Sequence, residues 1–351
     1  MCILPHPIIQ QSRKSKFRHF HYLCIMLQRP RRNRKNAAIR GLAEEIYLLP
    51  KHLVQPLFLV DGKNKKNAIK SLPDIFQLSI DNALKEIEAC MNVGVNSFIL
   101  FPAVEDALKN KTATYSYSQK NFYLKAIKEF KKKFPECCLI SDVAMDPYSS
   151  DGHDGYVENG KIHNDKTLPI LAKMSVAQAE AGIDIIGPSD MMDGRVGYIR
   201  ETLDAKGFSE TSIMSYTAKY ASAFYGPFRD ALESAPKSGD KKTYQMNPAN
   251  KREAMVEAEL DYAEGADFLM VKPATVYLDI IHELRQNFPI PIAAYHVSGE
   301  YAMLQAAAKN GWIDYAKCLE ETLLSIHRAG ADVVISYGSK DYANHIKKGK
   351  V

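Results

Sequence analysis

The chain of 351 residues holds six cysteines, Cys2, Cys24, Cys90, Cys137, Cys138 and Cys318, and no two have C-x-x-C spacing. That removes a zinc knuckle and a dithiol redox motif, and leaves a reduced cytosolic compartment as the expectation. No run approaches eighteen apolar residues, so no segment reads as a membrane span. Acidic residues are missing from positions 1–40, which carry ten Lys/Arg. The net charge of +5 is therefore concentrated there, and the remainder is slightly acidic. Aromatic residues are missing from the basic stretch Arg29–Arg40. Without rings to stack bases it reads as an arm that packs on another subunit, not as a nucleic-acid contact. Also missing is a glycine-rich phosphate loop after the first predicted strand, where Asp61-Gly62-Lys63-Asn64 stands instead. That argues against an open dinucleotide-binding sheet.

Residues 1–28 hold basic residues and the short apolar patch Tyr22–Leu27, followed by Arg29 and Pro30. No small-residue cleavage site is evident, so the patch is a poor signal peptide. The segment reads as a disordered extension or as sequence upstream of a true start at Met26, with organelle targeting left open. Residues 29–50 are expected to form the arm, and residues 51–351 a single catalytic domain.

Beyond the arm, β-rich and helical segments alternate. Eight apolar segments read as strands: Pro56–Val60, Ser97–Phe101, Cys138–Val143, Asp184–Gly187, Ser212–Ser215, Phe268–Lys272, Ile292–His296 and Val333–Tyr337. Helical patterns lie between most of them: Asp81–Met91, Gln119–Phe134, Ser175–Glu180, Pro248–Glu264, Val276–Asn287, Gly299–Lys309 and Ile313–Arg328. Alternation on this scale predicts an α/β fold, a (β/α)₈ TIM barrel with an extended N-terminal arm. A short pattern recurs at Gly94-Val95-Asn96, Gly182-Ile183-Asp184, Gly265-Ala266-Asp267 and Gly330-Ala331-Asp332. Each closes a helix with a left-handed glycine and opens a strand. Lys272 and Tyr337 each lie five residues past the Asp of their repeat, so both should reach the C-terminal mouth, where barrels keep their chemistry.

Strand ends supply Asp142, Asp190, Lys272, Ser298 and Tyr337 to that mouth, and the fifth strand runs on to a second lysine, Lys219. A buried lysine loses water, and a second ammonium nearby repels its charge. Both effects favour the neutral amine needed for an imine. The small and aromatic stretch Ala221–Arg229 and the loop Ser234–Asp240 read as a lid. In it Arg229 and Lys241 could clamp a carboxylate, or be scattered surface charge. The loop from Asp142 to Gly155 is rich in Asp and His. It could hold magnesium through oxygen ligands, or be a set of plain turns. An aldolase using a Schiff base and an inactive interaction barrel both remain open on these residues.

Longer motifs narrow the choice. Asp190-Met191-Met192-Asp193-Gly194-Arg195, Lys219-Tyr220 through Tyr225-Gly226-Pro227-Phe228-Arg229, Met270-Val271-Lys272-Pro273-Ala274 and Val297-Ser298-Gly299-Glu300-Tyr301 resemble the porphobilinogen synthase family, from about Arg29 to the C-terminus. The resemblance implies a lyase of the heme and tetrapyrrole route. Such an enzyme condenses two 5-aminolevulinate molecules with loss of two waters, usually as a cytosolic homo-octamer. It implies Lys272 as the Schiff-base residue and Lys219 as the second catalytic lysine. Substrate contacts are expected at Arg229, Lys241, Gln245, Ser298, Tyr337, Asp142, Tyr225 and Phe228. The three positions that carry cysteines in zinc-dependent members are Ala144, Asp146 and Asp154 here. An aspartate-type branch without catalytic zinc is therefore expected, with Asp146 and Asp154 as active-site carboxylates. Glu257 is expected to hold an allosteric magnesium.

Overall fold

The computed structural model describes residues 28–232 and 236–349. The extension at 1–27, with the Met26 start, and the first part of the Ser234–Asp240 loop lie outside the described residues. The chain divides into two compact units, one ending at Glu45 and the other spanning Ile46–Val351. In the first, Pro30–Arg34 forms a 3₁₀ turn, and α1 (Ala37–Leu42) is capped by Asn36, whose side chain accepts from the Ile39 N–H. Neither element has a buried residue.

The second unit is a closed parallel barrel. Its eight staves are β1 (Leu53–Val60), β4 (Ser97–Ala103), β5 (Cys138–Ile140), β8 (Ile185–Ile186), β9 (Ser212–Lys219), β10 (Phe268–Lys272), β11 (Ile292–His296) and β12 (Val333–Ser336), and β12 pairs back onto β1. All eight expected strands are present. Two small antiparallel ribbons were not foreseen: β2 (Lys66–Ala68) with β3 (Phe76–Leu78), and β6 (Val157–Glu158) with β7 (Lys161–Ile162). Strands this short give no readable period. The barrel helices are α2 (Ile80–Met91), α3 (Phe122–Lys133), α4 (Asn164–Glu180), α5 (Arg195–Ala205), α6 (Gly226–Leu232), α7 (Arg252–Ala263), α8 (Leu278–Asn287), α9 (Ser298–Lys309), α10 (Tyr315–Ala329) and α11 (Ser339–Lys347). α4 is far longer than its expected span of Ser175–Glu180. Pro169 sits in its second turn, where sequence reasoning reads a helix stop. The unforeseen α5 has a polar, weakly periodic sequence. It packs on α4, β9 and the Glu264 side chain that accepts from the Gly197 N–H.

The Gly-x-Asp repeats work as latches. Each glycine has positive φ, 95° at Gly182, 96° at Gly265 and 127° at Gly330, a backbone that side chains rarely tolerate. The following aspartate reaches sideways to the preceding stave. Asp184 accepts from the Leu139 N–H at 2.8 Å, Asp267 from Ile213 at 2.7 Å and Asp332 from Ile292 at 2.9 Å. These bonds set the register from the bottom of the barrel.

Two apolar layers follow from strand alternation. Leu139, Ile213, Leu269, Val271 and Ala294 face the helices, while Phe58, Phe101, Met214, Tyr216, Met270, Tyr295 and Tyr337 fill the barrel. Cys137 belongs to the outer layer and Cys138 packs against the inner one, so the adjacent thiols point to opposite faces. Burial pushes the two thiols up to about 11 and about 12, which leaves them poor nucleophiles. Truncating a fully buried outer-layer residue such as Leu269 to alanine should cost about 2–5 kcal/mol.

Candidate active site

The two lysines lie side by side. β10 and β9 pair with Lys272 opposite Lys219, so parallel pairing delivers both amines to the same mouth. A register shift between Leu269 and Val271 precedes that pairing. The pocket above them is lined by Asp142, Asp146, Ser189, Lys219, Tyr225, Phe228, Arg229, Lys241, Gln245 and Lys272. Its cavity volume is about 30 Å³, room for about one water.

Lys272 is almost wholly buried, with its Nζ 4.7 Å from the Tyr295 ring centroid, 4.9 Å from Phe228, 5.1 Å from Tyr216 and 5.4 Å from Tyr225. Ring faces attract an ammonium by roughly 0.5–2 kcal/mol. Burial works the other way and is the larger effect, and Lys219 adds repulsion. Together they bring Lys272 down to about 7. A substantial fraction of the amine is therefore neutral near pH 7, as nucleophilic attack on a carbonyl requires.

Lys219 has a different setting. Its ammonium lies 3.1 Å from Asp154 and donates to the Ser189 carbonyl. Lys241, arriving from the lid, lies 2.5 Å from Asp154 and 3.1 Å from Asp146. Burial alone would raise the Asp154 carboxyl, but Lys219 and Lys241 outweigh it and hold Asp154 at about 2. Burial raises Asp146 against the pull of Lys241. Asp142 is pushed up to about 7, first by burial and then by Asp146, while a hydrogen bond from Ser189 opposes the rise. It can take up or release a proton near neutrality.

The lid is an excursion with pinned ends. Met246 donates its N–H to the Lys219 carbonyl, and its own carbonyl accepts from Ala221. Tyr225 donates to the Lys272 carbonyl at 3.1 Å. Ser298 opens α9, accepts from the Phe228 N–H and donates to the Phe224 carbonyl. Gly299 is required there, because a Cβ would stand 2.5 Å from the Phe224 oxygen. His153 holds the far side through Ser238 and Tyr244.

Most expected site residues converge. Arg229 lines the pocket and forms no ion pair among the described residues. The Gln245 side-chain amide oxygen is buried without a partner among the described residues. Tyr337 joins through a 3.0 Å hydroxyl contact with Tyr295, the residue against Lys272. Lys241 departs from its expected place as a free clamp, because its ammonium is already held by Asp146 and Asp154. Asp190 was expected at the mouth but turns away. It accepts from Met192 and faces Arg195 at 3.9 Å. Its neighbour Ser189 takes the mouth position, one residue before the one the strand ends indicated. Tyr216 and Tyr295, also unforeseen as site residues, are inward-facing on β9 and β11. Alternation marks such positions as core and gives no sign of chemistry.

Ala144, Asp146 and Asp154 supply no thiolate, and an ammonium already occupies the two carboxylates. That donor set does not suit a thiolate-type zinc site. Glu257 lies on α7, outside this pocket, beside a separate outer cleft that also reaches Asp193 and Glu253. Burial raises it to about 7, and Arg195 opposes the rise. Among the described residues no group of three or more His, Cys, Asp or Glu is placed to hold a metal. A single carboxylate fits only an ion that keeps most of its waters, which magnesium does.

The comparisons with known proteins bear on all of this. The family model for delta-aminolevulinic acid dehydratase matches residues 27–345. The chain belongs to this family. The delta-aminolevulinic acid dehydratase of Chlamydia pneumoniae is 53% identical over 312 residues, which is 89% of this chain and 94% of that protein. The chloroplastic delta-aminolevulinic acid dehydratase of Physcomitrium patens is 54% identical over 316 residues, 89% of this chain and 73% of that one. A crystal structure of the dehydratase from Toxoplasma gondii ME49, in complex with the reaction product porphobilinogen, matches with a TM-score of 0.89 at 50% identity. It covers 90% of this chain and 91% of that one. Membership of the dehydratase family sets aside the aldolase and interaction-barrel readings.

Proposed function

We infer that the chain is a porphobilinogen synthase, a lyase that condenses two 5-aminolevulinate molecules to porphobilinogen with loss of two waters. The observation that carries the chemistry is the buried amine of Lys272, brought to about 7 by burial and by Lys219. Neutral Lys272 attacks the ketone carbon of one substrate, and loss of water leaves an imine. The imine withdraws electrons and makes the adjacent carbon acidic. Asp142, near 7 itself, is suited to take that proton. Lys219 positions or covalently holds the second substrate. Arg229, which forms no ion pair among the described residues, binds a substrate carboxylate by two parallel hydrogen bonds. Ser298 and Tyr337 serve the other substrate carboxylate, and Gln245, Tyr225 and Phe228 complete the walls.

We place the chain in the aspartate-type branch. Support comes from the carboxylates at Asp146 and Asp154, which have a lysine between them. Magnesium would be held by Glu257 and water. When bound, it would supply positive charge on the α7 face. Residues 29–50 act as an arm against another subunit of a homo-octamer, in keeping with Leu42 being 89% exposed. The cytosol is the proposed compartment. No helix of the described residues is long and apolar enough to cross a membrane, while plant relatives are named chloroplastic.

The deciding experiment is pyrrole formation from 5-aminolevulinate, with borohydride trapping and peptide mapping. It is then repeated after chelation and re-addition of magnesium or zinc. The expected result is an adduct on Lys272 and activity restored by magnesium, with no magnesium response in Glu257→Gln. An adduct elsewhere with full activity in Lys272→Ala would overturn the chemistry. Activity restored only by zinc would overturn the branch.

A further inference from the structure

Three tyrosines surround Lys272, and they differ in what their hydroxyls do. Tyr225 donates to the Lys272 carbonyl, and Tyr295 is bonded to Tyr337. The Tyr216 hydroxyl is buried and has no hydrogen-bond partner among the described residues. A buried hydroxyl without a partner is costly to keep, and phenylalanine would fill the same space without that cost. The position is also not casual. Tyr216 lies on β9 three residues before Lys219, with its ring 5.1 Å from the Lys272 Nζ and 5.9 Å from the Lys219 Nζ. The ring lies beside Gly187. A side chain there would bring its Cβ to 2.4 Å from the Ser141 oxygen and 3.4 Å from the Tyr216 ring. The Ser141 carbonyl thus keeps position 187 without a side chain, and the Tyr216 ring packs beside it at ordinary contact distance.

We propose that Tyr216 is a further catalytic residue, whose hydroxyl donates a hydrogen bond to the substrate ketone oxygen while Lys272 attacks the carbon beside it. This rests on the imine reading above. As the bond between Nζ and carbon forms, the carbonyl π pair moves onto oxygen. The hydroxyl stabilises that developing negative charge and keeps its own proton. The two protons lost from the attacking amine nitrogen pass to this oxygen, which departs as water and completes the imine. Burial raises the Tyr216 hydroxyl well above the usual tyrosine range, so it remains a donor at any working pH. A fixed donor in a dry site is worth more than the same group in water.

The test is Tyr216→Phe in the full chain with 5-aminolevulinate as substrate. Borohydride-trappable adduct at Lys272 is followed in a single turnover, alongside steady-state rates and thermal unfolding. The expected result is adduct formation and kcat slower by about 10²-fold, KM changed little, and Tm raised. The acid limb of the rate profile should stay where it is, because Lys272 and Asp142 remain. Tyr295→Phe serves as a contrast, because it strands the Tyr337 hydroxyl and should lower Tm. Trapping within twofold of the parent would overturn the proposal, and so would a fall in Tm alongside the loss of rate. If the parent itself gives neither porphobilinogen nor adduct, the imine reading fails instead.

Discussion

Lys219 and Lys272 sit opposite each other on adjacent strands and share the Tyr216 ring, yet the rest of their surroundings differ in charge. On the Lys219 side two carboxylates and two ammonium groups form a compensated cluster, Lys219–Asp154–Lys241–Asp146. On the Lys272 side four aromatic rings exclude water and supply no counter-charge of their own. The lesson is that proximity alone does not make a nucleophile. One amine is tied to carboxylates and made available for positioning, while the other is deprived of both water and partner and gives up its proton. The lid serves both halves, sending Tyr225 and Phe228 to one and Lys241 to the other.

The largest expected effect comes from abolishing the aromatic half's amine. Lys272→Met should lower kcat on the order of 10³-fold or more and eliminate the borohydride adduct. It should also stabilise the fold. An unfolded lysine holds its proton to about 10.4, whereas Lys272 in the folded state releases it near 7. The unfolded chain therefore binds the extra proton between those values, and the native state suffers most below pH 7. The gain in Tm should be greatest there and shrink toward pH 10.

Removing the contrast from the other side is the next test. Lys219→Met takes away a repelling charge, so Lys272 should hold its proton to higher pH. The acid limb of the rate should move upward, with activity down about 10²-fold. An unmoved limb would mean that burial alone sets the amine. Asp154→Asn breaks the compensation while sparing both lysines. It should cost about 3 kcal/mol of stability in urea titrations and shift the limb downward, since Asp154 raises Lys272 in the parent. The smallest effect is expected at the pocket wall. Arg229→Lys keeps the charge but loses the two-pronged grip, so KM should rise about tenfold with kcat nearly constant.

How far the sequence foretold this depends on the kind of signal. Strands ending in Lys272, Tyr337 and Lys219 could be placed because apolar runs and Gly-x-Asp repeats are local, and each fixes its own register. The depressed amine could be argued from two lysines at one mouth. The Lys241 ion pairs could not, because they depend on how the excursion between Ala221 and Met246 folds back onto the loop after β5. Ser189 was missed in favour of Asp190 since β8 has only two paired residues, too few to set which side chain turns inward. Tyr216 and Tyr295 look like filling in any alternating strand. Only what their hydroxyls do, visible in three dimensions, separates them: Tyr295 bonds Tyr337, and Tyr216 has no partner among the described residues.

The latches also bear on the order in which the molecule assembles. Asp332, Asp184 and Asp267 join positions 40, 45 and 54 residues apart, whereas the Gln55 side chain reaches the Tyr337 carbonyl across 282. Closing a longer loop costs more chain entropy, and distant contacts form late. The staves should therefore collect first as an open, curling ribbon, with the β1–β12 seam sealed at the end. Tyr337 stands on that seam. In pulse-labelled hydrogen exchange during refolding, amides of β1 and β12 should gain protection after those of β9 and β10. The two lysines would then be in place before the pocket around them is complete, and catalytic competence would appear only when the two ends of the barrel meet.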